Sequence, residues 1–507
     1  MRRRRARIPT STLWCFVCVV TTAAAVAAVS IAGIGLGRPG LLENGRIWRA
    51  SRRLSSVSGI CGAARVYGEF PTETENSSKL RVGIIGGGIG GLATALALRS
   101  YCPEKIAHID IFEKRERNAD FGKGTGLMLW KNGLKVLQQI DEVQSLGVFD
   151  SMIKNSVKLM GTEMDSFGDK KSLRVDSGMV GIQWSAFHKT LHDGIKNWDD
   201  GSITLHYDHA CRDIANLKDV DKVQITFESR DGEEMKEIMC EYDLVVAADG
   251  INSRIRSKLF DDTPPVPQGR AIFRAVIENS KAEDASKGGD IKLPPNKDDQ
   301  TLMCLRDPKK IVAFLPVSNE ATYWAATIHK DANERLAKNI KYIECLRYCH
   351  VQESFILNNQ DGAEAKELLL SAEYEMYPEL QKMVELTPPE KIFYNHLKQL
   401  EPLATWVNRR VVLMGDAAHA MIPAAGQGVG MAVEDAQQLA VSLAGCKNID
   451  DALNHYETVR IPRVTQVQIQ NAQDARDSYV KFKKTSKLDR EEYNRFLFGY
   501  PGATDPS

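Results

Sequence analysis

The sequence lacks the short motifs of several common enzyme classes. It contains no G-x-S-x-G elbow, no P-loop and no H-E-x-x-H pair, which lowers the case for a serine hydrolase, a P-loop kinase or a zinc protease. Its 66 basic and 66 acidic residues leave a formal net charge of zero, so the positive excess of a nucleic-acid-binding protein is also missing. We therefore expect no nucleic-acid partner.

The cysteines do not form a disulfide framework. There are ten in 507 residues, without regular spacing, and we interpret those of the main body as buried thiols. A chain of this length can bury a large core, and we expect two lobes with a terminal appendage.

The N-terminal part differs in composition from the rest. Residues 1–79 contain twelve Lys or Arg against four Glu, whereas the remainder contains 54 basic and 62 acidic residues. Residues 8–37 carry no charge, a run longer than the about 20 residues that a helix needs to cross a bilayer. Residues 38–71 have six Arg, several Ser and two Glu, which is typical of a transit peptide.

Two interpretations of this N-terminal part stay open. A cleaved signal followed by a transit segment would suit a plastid that is reached through the secretory route. A membrane anchor followed by a flexible stalk is the simpler alternative. Both predict a membrane-associated or organellar protein, and a soluble cytosolic location is the least expected.

The main body opens with a glycine cluster in the segment RVGIIGGGIGGLATALALRS. Gly86, Gly88 and Gly91 form G-x-G-x-x-G between a short apolar strand and a helix rich in Ala and Leu. Such glycines let the backbone approach a pyrophosphate, which the N-terminus of the helix also attracts. A second strand ends at Glu113, whose carboxylate can accept hydrogen bonds from an adenosine ribose. We predict a βαβ unit that binds ADP.

Two later segments indicate which dinucleotide is bound. YDLVVAADGINSRIRSKL predicts a buried strand that ends at Asp249 and Gly250 and is followed by a helix. VVLMGDAAHAMIPAAGQGVGMAVEDA predicts a strand that ends at Gly415 and Asp416, a loop rich in glycine, and a helix that begins near Met431.

The second of these segments suits a flavin. A carboxylate at Asp416 can bind the ribityl hydroxyls, and the loop from Pro423 through Gly426 and Gly428 lets bare backbone approach a flat ring. The dipole of the following helix would favour negative charge on the reduced ring. The two glycine clusters would then hold the two halves of one FAD.

Together the motifs resemble the single-component FAD-dependent aromatic hydroxylase family, with the para-hydroxybenzoate hydroxylase fold. The resemblance runs from about residue 80 to residue 463 and is similar to the branch of salicylate hydroxylase and zeaxanthin epoxidase. It implies an α/β fold, in which a discontinuous Rossmann-like FAD-binding domain accompanies a β-sheet substrate domain. It also implies that Asp249 and Gly250 serve FAD and nicotinamide binding, and that Pro423, Gly426 and Gly428 line the isoalloxazine.

The expected division of the chain has four parts. Residues 1–79 are the N-terminal segment, 80–260 and 401–507 are the two parts of the FAD-binding domain, and 261–400 form the substrate sheet. We predict strands at 271–279, 301–305, 310–318 and 322–329, and polar helices over the sheet within 331–390. Arg274, Phe314 and Trp324 could face a substrate ring, but a core or structural role is favoured for each.

The resemblance implies an FAD-dependent monooxygenase. NADPH, preferred over NADH on family grounds alone, would reduce the flavin, and dioxygen would form a flavin hydroperoxide. That species would hydroxylate or epoxidise an aromatic or polyene small molecule, such as an isoprenoid. No catalytic residue and no metal ligand is predicted. The alternatives are a reductase of the same fold and a flavin-binding regulatory protein without turnover.

Two departures from the family pattern bear on these alternatives. Trp184, or Gln183 if the register slips by one, stands where many members have Arg, which puts one flavin contact in doubt, and Gly430 stands where many have Asn. The Trp-x-Trp-x-Ile-Pro signature of related flavin halogenases is missing.

Several polar residues are given structural interpretations. His188 and His192 have the spacing of two metal ligands on a helix, but without a third ligand we interpret them as surface histidines. We assign His419 to packing of its motif, and Arg460 and Arg463 to the structure of the closing helix. Cys345, Cys349 and His350 are interpreted as part of a buried cluster of thiols without a metal.

Overall fold

The computed structural model describes residues 79–117, 119, 125–166, 169–174, 178–198, 200–217, 219–231, 234–286, 300–306, 310–329, 359–371, 374–375, 377–477 and 487–503. The predicted signal or anchor segment and the CLRYCH cluster at 345–350 therefore lie outside the described residues. Among the described helices, none combines the length and the hydropathy of a membrane span.

The described strands are numbered in chain order. They are β1 (Leu80–Ile85), β2 (Ile106–Phe112), β3 (Gly126–Trp130), β4 (Ser156–Lys158), β5 (Gly161–Ser166), β6 (Asp169–Arg174), β7 (Met179–Gln183), β8 (Ile203–His206), β9 (His209–Asn216), β10 (Val223–Asp231), β11 (Glu234–Tyr242), β12 (Leu244–Ala247), β13 (Val266–Glu278), β14 (Thr301–Arg306), β15 (Lys310–Ser318), β16 (Ala321–His329), β17 (Phe393–Gln399), β18 (Val407–Asn408) and β19 (Val411–Leu413).

The described helices follow the same numbering. They are α1 (Ile89–Tyr101), α2 (Lys131–Gln144), α3 (Val148–Lys154), α4 (Trp184–Lys196), α5 (Arg254–Leu259), α6 (Asn279–Ser286), α7 (Asn359–Leu370), α8 (Pro378–Leu386), α9 (Asp416–His419), α10 (Gly428–Gly445), α11 (Ile449–Asp477) and α12 (Lys487–Phe498). Single 3₁₀ turns occur at Pro389–Lys391 and Pro423–Ala425.

A six-stranded sheet within the described residues brings distant parts of the chain together. Its order is β18-β19-β12-β1-β2-β8, and all its pairs are parallel except β18 with β19. Its central strands are apolar runs that are buried on both faces, as parallel sheets require. Ile85 pairs with Ala247, and Ala247 pairs with Leu413, so three carboxyl ends meet at one edge. Ligands of open α/β sheets bind at such an edge.

A second sheet, of seven described strands, has the order β17-β13-β16-β15-β14-β5-β6. Its neighbours pair antiparallel except β14 with β5. Residues paired across neighbouring strands point to the same face, so the sheet has two distinct sides. Two three-stranded sheets, β3-β7-β4 and β11-β10-β9, complete the described strands.

One face of the seven-stranded sheet packs on helices. Phe273, Phe314 and Trp324 are buried there against side chains of α7 and α8. The indole nitrogen of Trp324 donates a hydrogen bond of 3.1 Å to the hydroxyl of Thr387. Phe314 and Trp324 therefore belong to the core, as favoured from the sequence.

The opposite face of this sheet, called here the inner face, points to the loop after β19. Ile272, Ala325 and Leu397 pack there against Ile422, and Tyr323 joins the same cluster. The side chain of Arg274 lies on this face because Arg274 pairs with Ala325.

The four predicted strands of the substrate sheet are confirmed, as is the mixed α/β fold. The helices predicted within 331–390 are found at α7 and α8, and residues 330–358 lie outside the described part. β5 and β6 join the seven-stranded sheet although they fall within the range 80–260. The proposed division into 1–79, 80–260, 261–400 and 401–507 stays a prediction.

Candidate active site

The first glycine cluster forms a tight turn between β1 and α1. Gly86 has a φ of +111°, and a Cβ there would lie 2.3 Å from the carbonyl oxygen of Ala248. A Cβ at Gly91 would lie 2.0 Å from the oxygen of Gly86. At Gly88, a Cβ would meet no atom within 4 Å. Gly86 and Gly91 are thus required by packing, and Gly88 leaves open space at the N-terminus of α1.

Glu113 is held against this turn. It follows β2, it is 8% exposed, and its carboxylate accepts hydrogen bonds of 3.0 Å from the backbone nitrogens of Gly87 and Arg115. Glu113, the residue predicted to bind the adenosine ribose, therefore also positions the glycine turn.

His188 completes this turn from the other side. Its Nε2 lies 2.8 Å from the carbonyl oxygen of Gly87, and because a carbonyl only accepts, Nε2 carries the hydrogen. The imidazole is 7% exposed and stacks on Trp184, with ring centroids 4.9 Å apart. The interpretation of His188 as a surface residue is wrong, because a polar contact of the glycine turn holds it in the core. His192, one turn later, is half-buried and hydrogen-bonds the hydroxyl of Tyr207.

Asp249 and Gly250 lie directly after β12, beside the glycine turn. One carboxylate oxygen of Asp249 accepts a hydrogen bond of 3.1 Å from the nitrogen of Arg254. The other, Oδ1, is buried and has no hydrogen-bond partner within the described residues. Burial raises the pKa of this carboxyl. Gly250 has a φ of +83°, and a Cβ there would meet no atom within 4 Å.

Gly415 and Asp416 follow β19 and begin the second cluster. Asp416 exposes its side chain, yet desolvation by the surrounding protein raises its pKa, partly opposed by the charge of His419. Ala432 of α10 connects the two clusters, since its Cβ is 3.7 Å from a Cβ built on Gly90 and 3.4 Å from one built on Gly415.

A side-chain hydrogen bond holds one carbonyl of the loop from Pro423 to Gly428. Pro423 is exposed and begins a 3₁₀ turn, and Gly426 ends it with a φ of +63°. The indole nitrogen of Trp130 donates a hydrogen bond of 3.0 Å to the carbonyl of Ala425. α10 begins at Gly428, three residues before the predicted start, so the N-terminus of the helix lies within the glycine loop itself.

Buried ion pairs between α10 and α11 stabilise the second glycine cluster. Asp435 accepts hydrogen bonds from the nitrogen of Gly415 at 3.1 Å, from His419 at 2.6 Å and from Arg460 at 2.8 Å. Arg460 and Arg463 both donate to Glu434. The two arginines thus bind carboxylates of α10, in keeping with the structural role expected for the closing helix. The charges of His419 and Arg460 hold the pKa of Asp435 below its ordinary value against the effect of burial.

The sequence predicted the strand ends but not the residues that support them. Trp130, His188 and Asn132, which donates to Gln427 at 3.2 Å and to Glu434 at 2.9 Å, were not identified as supports. A Trp and an Asn at the boundary of β3 and α2 were the available hint, because both are buried polar groups that need partners.

The remaining residues noted from the sequence have ordinary surroundings. Trp184 begins α4, and its backbone nitrogen donates to the carbonyl of Thr125. Gly430 lies in the first turn of α10, near the side chains of Asn132 and Gln427. Within the described residues, no group of three His, Cys, Asp or Glu side chains could hold a metal ion.

The described residues fit FAD on three observations. Open space lies over Gly88 and Gly250, where a phosphate and its sugar can approach bare backbone. Within the described residues, Asp249 has a buried carboxylate oxygen without a partner, and Asp416 exposes its side chain directly after Gly415 of the second cluster. All these groups follow neighbouring ends of parallel strands.

A family model described as an FAD binding domain matches residues 79–350 and 395–471. The chain belongs to this family. The FAD-binding region is therefore split along the chain, as the sequence predicted.

Similar proteins include two hydroxylases. Hispidin-3-hydroxylase of Neonothopanus nambi is 27% identical over 451 residues, which are 84% of this chain and 94% of that protein. 3-Hydroxybenzoate 6-hydroxylase of Klebsiella oxytoca is 24% identical over 398 residues, which are 76% of this chain and 86% of that protein.

The fold is similar to that of Klebsiella pneumoniae HpxO complexed with FAD and uric acid. The TM-score is 0.61 at 20% sequence identity, over 84% of this chain and 95% of that one.

These comparisons confirm the prediction of an FAD-dependent monooxygenase with FAD as its cofactor. The roles of the single site residues, the substrate and the nicotinamide partner stay predictions.

Proposed function

We propose that the protein hydroxylates a planar aromatic small molecule with an acidic group, held between the inner face of the seven-stranded sheet and the loop Pro423–Gly428. The observation that carries this proposal is Arg274. It is a half-buried cation on the inner face, and within the described residues it has neither a hydrogen bond nor an ion pair.

An unpaired guanidinium in this position is costly unless an anion joins it. The Nε of Arg274 is buried and has no hydrogen-bond partner in the part of the chain that the structure describes, and the neighbouring inner-face residues Ile272, Val276 and Ala325 are apolar. Pairing a desolvated cation with a carboxylate or phenolate removes much of this cost, and a guanidinium offers two parallel donors to a carboxylate. An acidic aromatic substrate would supply both the anion and the flat apolar body.

Tyr323 lies close enough to Arg274 for the charge to affect it. Burial raises the pKa of Tyr323, and Arg274 partly opposes this effect. The phenol therefore stays protonated at neutral pH and can donate a hydrogen bond to a substrate oxygen.

The apolar residues around the proposed substrate site would exclude water. Ile272, Ala325, Leu397 and Ile422 form a buried apolar cluster between the sheet and the loop. When bound, FAD supplies transfer of one oxygen atom of dioxygen at the expense of NADPH, or of NADH. The chain itself would orient the substrate ring and keep the reacting atoms dry.

A polyene or isoprenoid substrate is the second candidate. It is favoured by the uncharged run 8–37, since attachment to a membrane would bring the protein to lipophilic molecules. The proposed membrane-associated or organellar location rests on the same residues.

The test uses the full chain loaded with FAD. Anaerobic bleaching by NADPH or NADH is followed with acidic aromatic compounds, their neutral esters and carotenoids, and products formed under ¹⁸O₂ are then analysed. We expect bleaching to accelerate with an acidic aromatic compound and the product to gain one labelled oxygen. Equal slow bleaching with every compound, and no label in any product, would instead support a reductase or a regulatory protein.

A further inference from the structure

The C-terminal residues 492–503, called here the strap, lie outside the residues that the family model matches. They nevertheless pack against the FAD-binding region, where Leu497 and Tyr500 are buried in its main core. The nitrogen of Ala503 donates a hydrogen bond of 2.9 Å to Gln437 of α10. The strap is therefore docked along its length.

One contact of the strap leads to Ala425 of the loop Pro423–Gly428. The ring of Phe498 stacks on the indole of Trp130, with centroids 4.9 Å apart and planes 25° from parallel. The same indole donates the hydrogen bond to the carbonyl of Ala425. Phe498 thus orients the indole N–H of Trp130 that donates to the carbonyl of Ala425. A Cβ at Gly426 would lie only 3.3 Å from the indole nitrogen, so the loop has little room to shift toward it.

A second set of contacts leads to Gly415, at the start of the second glycine cluster. Arg463 donates to the carbonyls of Phe496 and Leu497 at 3.0 and 3.1 Å, and its guanidinium lies 4.1 Å from the ring centre of Tyr500. Arg463 also donates to Glu434, which shares Arg460 with Asp435. Asp435 in turn accepts the backbone nitrogen of Gly415.

We propose that the strap is a positioning element for the flavin: it clamps both ends of the segment from Gly415 to Ala425, and its docking sets the affinity for FAD. Phe498 and Trp130 form the direct arm of this clamp. This inference rests on the assignment of that segment to the flavin. Trp130 belongs to a buried cluster against which Phe498 packs, as do Val276 and Tyr323 of the inner face, so the arm lies beside the proposed substrate space.

The experiment compares five full-chain proteins with the wild type by titration of the apo-protein with FAD and by visible circular dichroism of the bound flavin. Phe498→Leu removes the stacked ring, and Trp130→Phe keeps a ring but removes the N–H. The double variant combines them, and Phe498→Tyr preserves the stack. Phe149→Leu is the matched control, because Phe149 is also a half-buried aromatic packed on the main core but lies on α3.

We expect Phe498→Leu to raise the Kd for FAD about 2- to 12-fold, the range that corresponds to one aromatic pair, and to alter the dichroism of the flavin. Trp130→Phe should have a similar effect, and the double variant should be no weaker than the weaker single variant, because both act by one route. Phe498→Tyr and Phe149→Leu should bind FAD as the wild type does.

Wild-type Kd values in Phe498→Leu and Trp130→Phe would overturn the clamp, and so would effects that multiply in the double variant or that Phe149→Leu reproduces. Should Phe498→Leu not fold, a wild-type Kd in Trp130→Phe still overturns the clamp, because it would show that the hydrogen bond through which Phe498 acts does not affect FAD binding. A wild-type chain that does not bind FAD would instead contradict the proposed function.

Discussion

His188 and Gly87 are joined by a buried hydrogen bond of 2.8 Å between the imidazole Nε2 and the carbonyl oxygen. Glu113 binds the nitrogen of the same glycine, so both backbone polar groups of Gly87 are held by side chains. The glycine turn is thus fixed before any cofactor binds. Preorganisation of this kind lowers the entropic cost of binding.

Replacing His188 by Phe should loosen the turn. The ring still stacks on Trp184, but the carbonyl of Gly87 loses its donor, which costs about 1–3 kcal/mol of stability. We expect a lower free energy of unfolding and a higher Kd for FAD, measured by urea titration and by flavin fluorescence. His192→Phe is the matched control. His192 lies one turn further along α4 and hydrogen-bonds Tyr207 instead of the glycine turn. Equal Kd values in the two variants would contradict the role of His188.

His188 should also make stability depend on pH. Burial lowers its pKa below the ordinary value of 6.5, although Gly87 and Glu113 oppose this effect. The unfolded chain therefore takes up the proton first, and the contribution of His188 is full above about pH 6.5 and declines as the pH falls below it. Urea titrations at pH 7.5 and pH 5 should give a smaller decline for His188→Phe than for the wild type. The same decline in both proteins would exclude this cause.

Asp416→Asn should separate stability from cofactor binding. The raised pKa of Asp416 means that its ionised form is disfavoured in the folded protein, so its contribution to stability falls as the pH rises from 3.8 toward the folded value. At neutral pH the variant should therefore have a higher melting temperature as apo-protein. Its Kd for FAD should rise, because a charged acceptor for hydroxyl groups is lost. A lower melting temperature in the apo-variant would refute this account.

Arg460→Met should be strongly destabilising. The side chain is fully buried and bonded to both Glu434 and Asp435, so its loss leaves excess negative charge in the core. We expect a decrease of about 3–5 kcal/mol in the free energy of unfolding. Arg212→Met, which breaks the exposed pair with Glu228, should cost less than about 1 kcal/mol. Comparable losses in urea titrations of the two variants would show that burial of the network is not the cause.

Arg274→Met should change recognition of the substrate and leave the cofactor in place. A charge-assisted hydrogen bond is worth about 1.5–3 kcal/mol, so the KM for an acidic aromatic substrate should rise about 10- to 100-fold. The Kd for FAD should stay at the wild-type value. A neutral ester of the same compound is the control, because it offers Arg274 no anion. An equal rise of KM for acid and ester would contradict the proposed pairing.

Much of the site could be predicted because it depends on local patterns. Apolar runs that end in Gly86, Asp249 and Gly415 mark strand ends, and parallel pairing brings such ends to one edge. The face on which Arg274 lies could not be predicted, because alternation along a strand separates two faces but does not say what covers each. Phe498 was missed for a related reason, since its partner is a residue far away in sequence.

His188 shows a further limit of sequence patterns. Histidine is intermediate in average burial, so its residue type does not tell a surface position from a core one, and only the position of α4 against the glycine turn reveals its partner. The start of α10 was placed three residues late because glycine is a poor helix former, whereas here it begins the helix.

The pairing of β1 with β12, and of β12 with β19, also determines when the protein can first hold its cofactor. During synthesis, β1 can pair early with β2, but β12 is translated more than 150 residues after β1, and β19 more than 150 residues after β12. Contacts this distant in sequence form slowly, and the edge of β1 that pairs with β12 stays available to other chains until they do. A chain whose synthesis stops before β19 therefore lacks one of the three strand ends at which the proposed cofactor site is formed.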